Sequence, residues 1–279
     1  MKGRVTSVEP APIAAGEALR LAPAAFFAPA PAGHFWLEHL LHVLAAAPAG
    51  AYPDWELFTL PDAAGAEDFA LLARNRQTGY ALFHAVGAGG GLLLKGALEH
   101  CPPRKVLANH ASFEAAVTEA GLRSRIVRDH RELFMLLPCG GLQVEPDGRY
   151  RLAAAQDIPR LEAWREGYMR ERETEWHIDW RQAIAARSVY VRERDGVLTA
   201  CLVKGAHLDT TVSFGGTYTF PRFRGEGEAT MLVANFCAEM AREGLDVCLL
   251  VDDDNAPALR VYARVGFHPQ GLYRTAYFA

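Results

Sequence analysis

The segment Arg224-Gly225-Glu226-Gly227-Glu228-Ala229 combines residue types suited to holding a ligand. Arg222 to Gly227 is basic and contains glycine, so a ligand can come close to its backbone. The residues before it, Phe214 to Phe220, are rich in β-branched and aromatic types and stop at Pro221, which predicts a strand. After it, Met231, Leu232, Phe236 and Met240 recur at helical spacing, with Ala229 and Ala238 as small fillers and Gly244 as a stop. A glycine loop that opens a helix aims free N–H groups and the positive dipole end at one spot, which is an anion site. On residue types alone, an ordinary basic glycine turn fits the loop as well.

A second segment follows one strand later. Asn255-Ala256-Pro257-Ala258-Leu259-Arg260-Val261-Tyr262-Ala263-Arg264-Val265-Gly266-Phe267 reads N-x-x-A-x-x-x-Y-x-x-x-G-F. The first segment fits R-x-x-G-x-A and lies within Y-T-x-P-x-x-R-G-x-G, beginning at Tyr218. Together and in this order they resemble the two signatures of the GNAT acyl-CoA-dependent N-acetyltransferases. The resemblance covers residues 149–279 and is nearest to bacterial acetyltransferases with a degenerate N-terminal half.

That resemblance implies an α/β (α+β) GNAT fold: a mixed, mostly antiparallel central sheet flanked by helices, with a second, degenerate GNAT-like N-terminal domain. It implies acetyl-CoA as acyl donor. The loop Arg224, Gly225, Glu226, Gly227, Glu228 and Ala229 would cradle the pyrophosphate, with Glu226 and Glu228 turned away from it. The backbone of Thr217, Tyr218 and Thr219 would receive the pantetheine arm as a sheet edge receives a peptide. Tyr262 would protonate the departing thiolate, a role suited to a phenol of pKa ~10 facing a thiol of pKa ~8.5. A ring simply packed on the sheet is the alternative. Asn255 would contact the cofactor or cap the helix that Pro257 helps to start.

No general base stands out. Glu173, Glu175, His177 and Asp179 sit near the helix that borders the acceptor cleft in the family, and Glu175 is the candidate among them. Each alone reads as a solvated surface residue before it reads as a base. Trp176 and Trp180, at i,i+4, would line an acceptor pocket or pack in the core.

Several look-alikes fail. His34, Glu38, His39 and His42 have neither H-E-x-x-H nor H-x-x-E-H spacing, so no metal is expected. Gly87-Ala88-Gly89-Gly90-Gly91 lacks the third dinucleotide-fingerprint glycine, since Leu92 stands there. No phosphate-binding G-x-x-x-x-G-K-[ST] occurs. Cys201 and Cys248 lie in strand-like apolar runs and read as core.

The elements that must position these residues follow from the rest of the chain. With 279 residues, half of them hydrophobic, two domains are expected: 1–145 and 149–279, divided at the Pro/Gly-rich stretch Pro138 to Gly148. In the first, residues 1–32 are Ala/Pro-rich and partly irregular. A helix is expected over Gly33–Ala46 and strands over Glu56–Leu60, Phe69–Arg74 and Tyr80–Val86. Gly87 to Gly91 reads as a flexible break. A strand at Lys105–Ala108, a helix at Ser112–Ala120 and a strand at Ile126–Leu137 follow. In the second, a strand at Tyr150–Ala154 precedes helices from Asp157 to Tyr168 and Glu175 to Ala186. Strands flank the Asp195-Gly196 turn, and a last strand spans Leu272–Phe278.

A net charge of −4 argues against general nucleic-acid binding. The five cysteines form no C-x-x-C pair, which reads as reduced thiols and a cytoplasmic protein. No membrane span or signal peptide is expected. The function this supports is transfer of an acetyl group to the primary amine of a small or amino-acid-like acceptor, by a monomer or homodimer. The attack is direct, since no nucleophile motif suggests a covalent acyl-enzyme. A glycine N-acyltransferase-like enzyme and a CoA-binding sensor without turnover are the rivals. The first half is expected to bind no CoA.

Overall fold

The computed structural model describes residues 8–27, 33–48, 50–60 and 68–279. By its contacts the chain divides into two units, Met1–Phe134 together with Gln270–Ala279, and Met135–Pro269.

In the first unit β1 (Ala11–Pro12), α1 (Ala15–Leu21) and α2 (Phe35–Ala46) precede a meander of β2 (Trp55–Thr59), β3 (Phe69–Asn75) and β4 (Tyr80–Val86). Then come α3 (Gly90–His100), β5 (Lys105–Asn109), α4 (His110–Ala120) and β6 (Ile126–Leu137). The second unit holds β7 (Arg151–Leu152), α5 (Ile158–Arg172), α6 (Trp180–Ala185), β8 (Val189–Arg194), β9 (Val197–Leu208) and β10 (Thr211–Thr219). It continues with α7 (Glu228–Arg242), β11 (Asp246–Asp252) and α8 (Ala256–Val265). The last strand, β12 (His268–Phe278), pairs antiparallel with β5 from Tyr273 to Tyr277, in the first unit. The division at 145–149 drawn from Pro and Gly content therefore differs from the one drawn by contacts. The physical reason is that β12 finds its backbone partners on β5, far back in sequence.

Each unit contains the same local connection. In the first, β4 and β5 pair parallel with α3 between them; in the second, β10 and β11 pair parallel with α7 between them. The other strand pairings described are antiparallel. The sheets are mixed and mostly antiparallel, as the resemblance implies. In the first unit α3 and α4 bury Leu93, Leu94, Phe113 and Val117 against Leu72, Phe83, Val106 and Ala276. In the second, Leu161 and Trp164 of α5 and Trp180 of α6 pack with Val189, Val191, Cys201 and Tyr218.

Several elements differ from expectation. The break at Gly87–Gly91 opens α3, a full helix. Its glycines hide it from propensity but are needed for packing. A Cβ at Gly90 would lie 2.9 Å from the Ala85 Cβ, and one at Gly96 would lie 2.1 Å from the Val8 carbonyl. Helix α1 lies inside the Ala/Pro-rich stretch, while residues 1–7 and 28–32 of that stretch fall outside the described residues. Helix α5 runs four residues further than expected, to Arg172, where Glu173 takes a left-handed conformation (φ 47°) and ends it. Helix α6 starts only at Trp180, capped by Asp179, whose carboxylate accepts the Gln182 N–H at 3.1 Å.

Candidate active site

A cavity of about 810 Å³ opens in the second unit between α5, β10, the glycine loop and α8. Its origin is a splayed pair of strands. The parallel pairing of β10 with β11 ends at Ser213–Cys248, although both strands run on, to Thr219 and Asp252. The pairing of β10 with β9 also slips between Gly215 and Tyr218: three steps on β10 match two on β9, so β10 carries a bulge. Gly216 sits in it with φ 61°, and a Cβ there would meet the Trp176 ring at 2.5 Å. Glycine is required at this point on both counts. The bulge turns Thr217, Tyr218 and Thr219 into the cavity wall.

The glycine loop forms the next wall. Gly225, Gly227, Glu228 and Ala229 line it, as does Arg224. Gly225 and Gly227 are left-handed, with φ 81° and 82°. Helix α7 starts at Gly227 without a side-chain cap, so the N–H groups of its first turn remain for an outside acceptor. Two other helices of this unit are capped by their own side chains: Asn255 accepts the Ala258 N–H at 3.3 Å for α8, and Asp179 serves α6. The cap reading of Asn255 thus holds, and Asn255 also lines the cavity.

The two loop carboxylates face Arg192 and Arg194. Glu228 is buried and takes hydrogen bonds from Thr199 Oγ1 (2.6 Å), Arg192 Nε (2.8 Å) and Arg194 (2.7 Å). Burial alone raises its pKa, but these bonds outweigh burial and hold it below the usual carboxylate range. Glu226 pairs with Arg194 at 2.5 Å and does not line the cavity. Arg192 also grips Asp147 at 2.6 Å, and Asn235 joins Asp147 at 2.9 Å. The negative charge of the loop is thereby compensated, and the pairs fix the start of α7.

Tyr262 lines the cavity from α8 while its ring packs edge-on to Phe214 and Phe267. Burial pushes its phenol up, and the Thr217 side chain opposes that only in part. At neutral pH it keeps its proton. Gly266 ends α8 at φ 118°, where a Cβ would lie 2.6 Å from the Gly141 carbonyl. The glycine of the second signature thus packs against the chain entering this unit.

Glu175 is exposed, in the segment between α5 and α6, and does not line the cavity. Trp176 and Trp180 belong to an aromatic cluster with Trp164, at ring distances of 5.3 and 5.2 Å, so core packing accounts for both. Residues not anticipated from sequence line the cavity instead: Tyr168, Glu171 and Arg172 from α5, and Arg260 and Arg264 from α8. Arg260 and Arg264 stand at i,i+4 in the second signature, a spacing that could have flagged them. For α5 no such signal exists, because its end was misplaced.

The matching loop of the first unit is differently filled. Gly87 and Gly89 are left-handed (φ 67° and 98°) before α3, yet the Gly91 N–H donates to Glu119 at 3.0 Å and the Ala88 N–H to Asp68 at 2.8 Å. Two carboxylates stand where an anion would have to bind. Elsewhere in this unit His34 lies 2.9 Å from Glu38. Among the described residues no group of three or more His, Cys, Asp or Glu is arranged for a metal ion. No helix among them is long and apolar enough to cross a membrane.

Residues 155–267 match the family model of the acetyltransferase (GNAT) family. No curated protein matches the chain significantly. Among solved structures, a Drosophila protein is 13% identical with a TM-score of 0.64, covering 98% of this chain and 99% of its own. A tandem GNAT protein from the clavulanic acid biosynthesis pathway is 16% identical with a TM-score of 0.59, covering 96% and 98%. An acetyltransferase of the GNAT family from Colwellia psychrerythraea is 13% identical with a TM-score of 0.56, covering 82% and 88%. At these identities the structures show a shared fold. Both signatures stand around one cavity and the family model spans them, so residues 155–267 form a domain of the acetyltransferase (GNAT) family, while the solved structures extend the fold likeness over the N-terminal half.

Proposed function

We propose that the second unit is an acyl-CoA-dependent N-acyltransferase that uses acetyl-CoA and a primary amine of a small or amino-acid-like molecule. The observation that carries this reading is one cavity that combines an uncapped helix start behind two left-handed glycines, a splayed strand edge and a buried, protonated tyrosine. These features fit the donor part by part. The first turn of α7 and Arg224 suit a pyrophosphate. The free edge of β10 at Thr217–Thr219 suits an amide-bearing arm. Bound acetyl-CoA supplies an activated acyl thioester.

The residues then have distinct tasks. The loop and β10 orient the donor, and orientation is worth several kcal/mol of barrier when the reacting atoms are held together. The Tyr262 hydroxyl holds a proton for the sulfur as the amine nitrogen bonds to the acyl carbon and the C–S bond breaks. The amine's own proton leaves to solvent or to a carboxylate. Glu175 lies outside the cavity lining, so a proton reaching it travels through water.

Incubation with acetyl-CoA and an amine panel, read as free thiol released, tests this. Thiol release with an amine, dependent on Tyr262, is the expected result. A CoA-induced thermal shift without turnover would make the unit a CoA-binding module instead. Absence of any shift would refute the cavity assignment.

A further inference from the structure

The arginine of the glycine loop is already engaged. Arg224 Nη2 donates to both oxygens of Glu171, at 2.9 and 2.7 Å, and its Nε donates to the Thr219 carbonyl at 3.1 Å. Its guanidinium stacks 5.2 Å over the Tyr218 ring, and the Tyr218 hydroxyl donates to Glu171 at 2.8 Å. Glu171, Tyr218 and Arg224 all line the cavity. Glu171 is fixed by its place on α5, whose next residue, Arg172, is tied to Asp252 at the end of β11. The loop carboxylates Glu226 and Glu228 are balanced by Arg192 and Arg194, which do not line the cavity. Of Arg192, Arg194 and Arg224, only Arg224 lines the cavity, and an internal carboxylate holds it there.

We propose that Glu171 is a latch on the donor loop: it competes with the donor's pyrophosphate for Arg224, so that donor binding must break the Glu171–Arg224 pair. This rests on the acyl-CoA reading above. A guanidinium fork prefers a dianionic pyrophosphate to a single carboxylate, and the approaching anion repels Glu171 as well. Donor binding thus sets Glu171 free inside the cavity, still bonded to the Tyr218 hydroxyl. The latch lowers donor affinity in exchange for a carboxylate that is uncovered only when the donor is present. The pair is half-exposed, with side chains 46% and 38% accessible, so the competition is worth about two- to fivefold in affinity.

Calorimetry with CoA on the full chain tests this, using wild type, Glu171→Gln, Arg224→Gln and the double variant. Glutamine keeps the shape of Glu171 and can still accept from Tyr218, and circular dichroism melts verify folding. Glu171→Gln is expected to bind CoA about two- to fivefold more tightly, and Arg224→Gln more weakly. In the Arg224→Gln background the Glu171→Gln gain should shrink to the part owed to direct repulsion between Glu171 and the donor, a coupling that mere structural damage does not produce. Unchanged or weaker CoA binding by Glu171→Gln overturns the latch, as does an equal gain in both backgrounds. If wild type itself binds no CoA, the acyl-CoA reading fails first and the latch fails with it.

Discussion

Gly227 and Gly244 sit at opposite ends of α7, and comparing alanine at each separates backbone strain from ligand contact. Both are left-handed, at φ 82° and 76°, and a Cβ on either meets nothing within 4 Å. The protein itself therefore has room for both methyl groups. Each substitution costs the left-handed penalty of an L-residue, about 1–2 kcal/mol. For a unit of this size, that lowers Tm by roughly 2–8 °C in both variants. The difference lies in the cavity, because Gly227 lines it where the proposed pyrophosphate would approach, whereas Gly244 lies past the far end of the helix. CoA at about 100 times its Kd adds ~2.7 kcal/mol to wild type, and the Gly244→Ala variant should gain the same. If the methyl at Gly227 costs ~2 kcal/mol of binding, the same CoA concentration adds under ~1 kcal/mol there. Differential scanning fluorimetry with and without CoA reads both quantities. A full CoA shift in Gly227→Ala, beside an equal loss of basal Tm in the two variants, would refute the placement of the pyrophosphate on this loop.

Tyr262→Phe keeps the ring packing against Phe214 and Phe267 and removes the proton donor, so kcat should fall about 10- to 10³-fold with CoA affinity little changed. Wild-type kcat in stopped-assay turnover would make the hydroxyl structural. Calorimetry should give one CoA per chain, since Glu119 and Asp68 occupy the loop N–H groups of the first unit; two sites would contradict that. His84 supplies a pH dependence of stability. Burial first, and then His34, lower its pKa to about 4 from 6.5, against a raising hydrogen bond to the Phe26 carbonyl. The fold thus prefers neutral His84, while the unfolded chain takes a proton below 6.5. Its stabilising share is complete above pH 6.5 and lost as pH falls toward 4, and Tm should drop across that window. His84→Gln should flatten the drop; an unchanged pH profile would show that other groups set it.

Local chemistry was legible in the sequence wherever it depends on a short run of residues. The loop 224–229 and the helix signature 255–267 fix turn, helix start and cap by their own backbone preferences, and the structure sets them around one cavity. In the second unit the order of strands and helices followed from period and punctuation in the same way. Helix α3 was hidden because Gly90, Gly91 and Gly96 serve close packing against Ala85, Glu119 and Val8, partners that propensity does not contain. The fate of Glu226 and Glu228 depends on Arg192 and Arg194, which lie about thirty residues earlier on β8. Glu171 meets Arg224 only because Gly167, one turn earlier on α5, lets the helix sit against Tyr218, whose hydroxyl would be 2.7 Å from a Cβ there. The strand β12 reaches β5 across more than 160 residues, where free backbone groups decide the pairing. Sequence determined which segments hold chemistry, because that is written in neighbouring residues. Tertiary structure decided which charges meet, because those partners are adjacent only after the chain has folded.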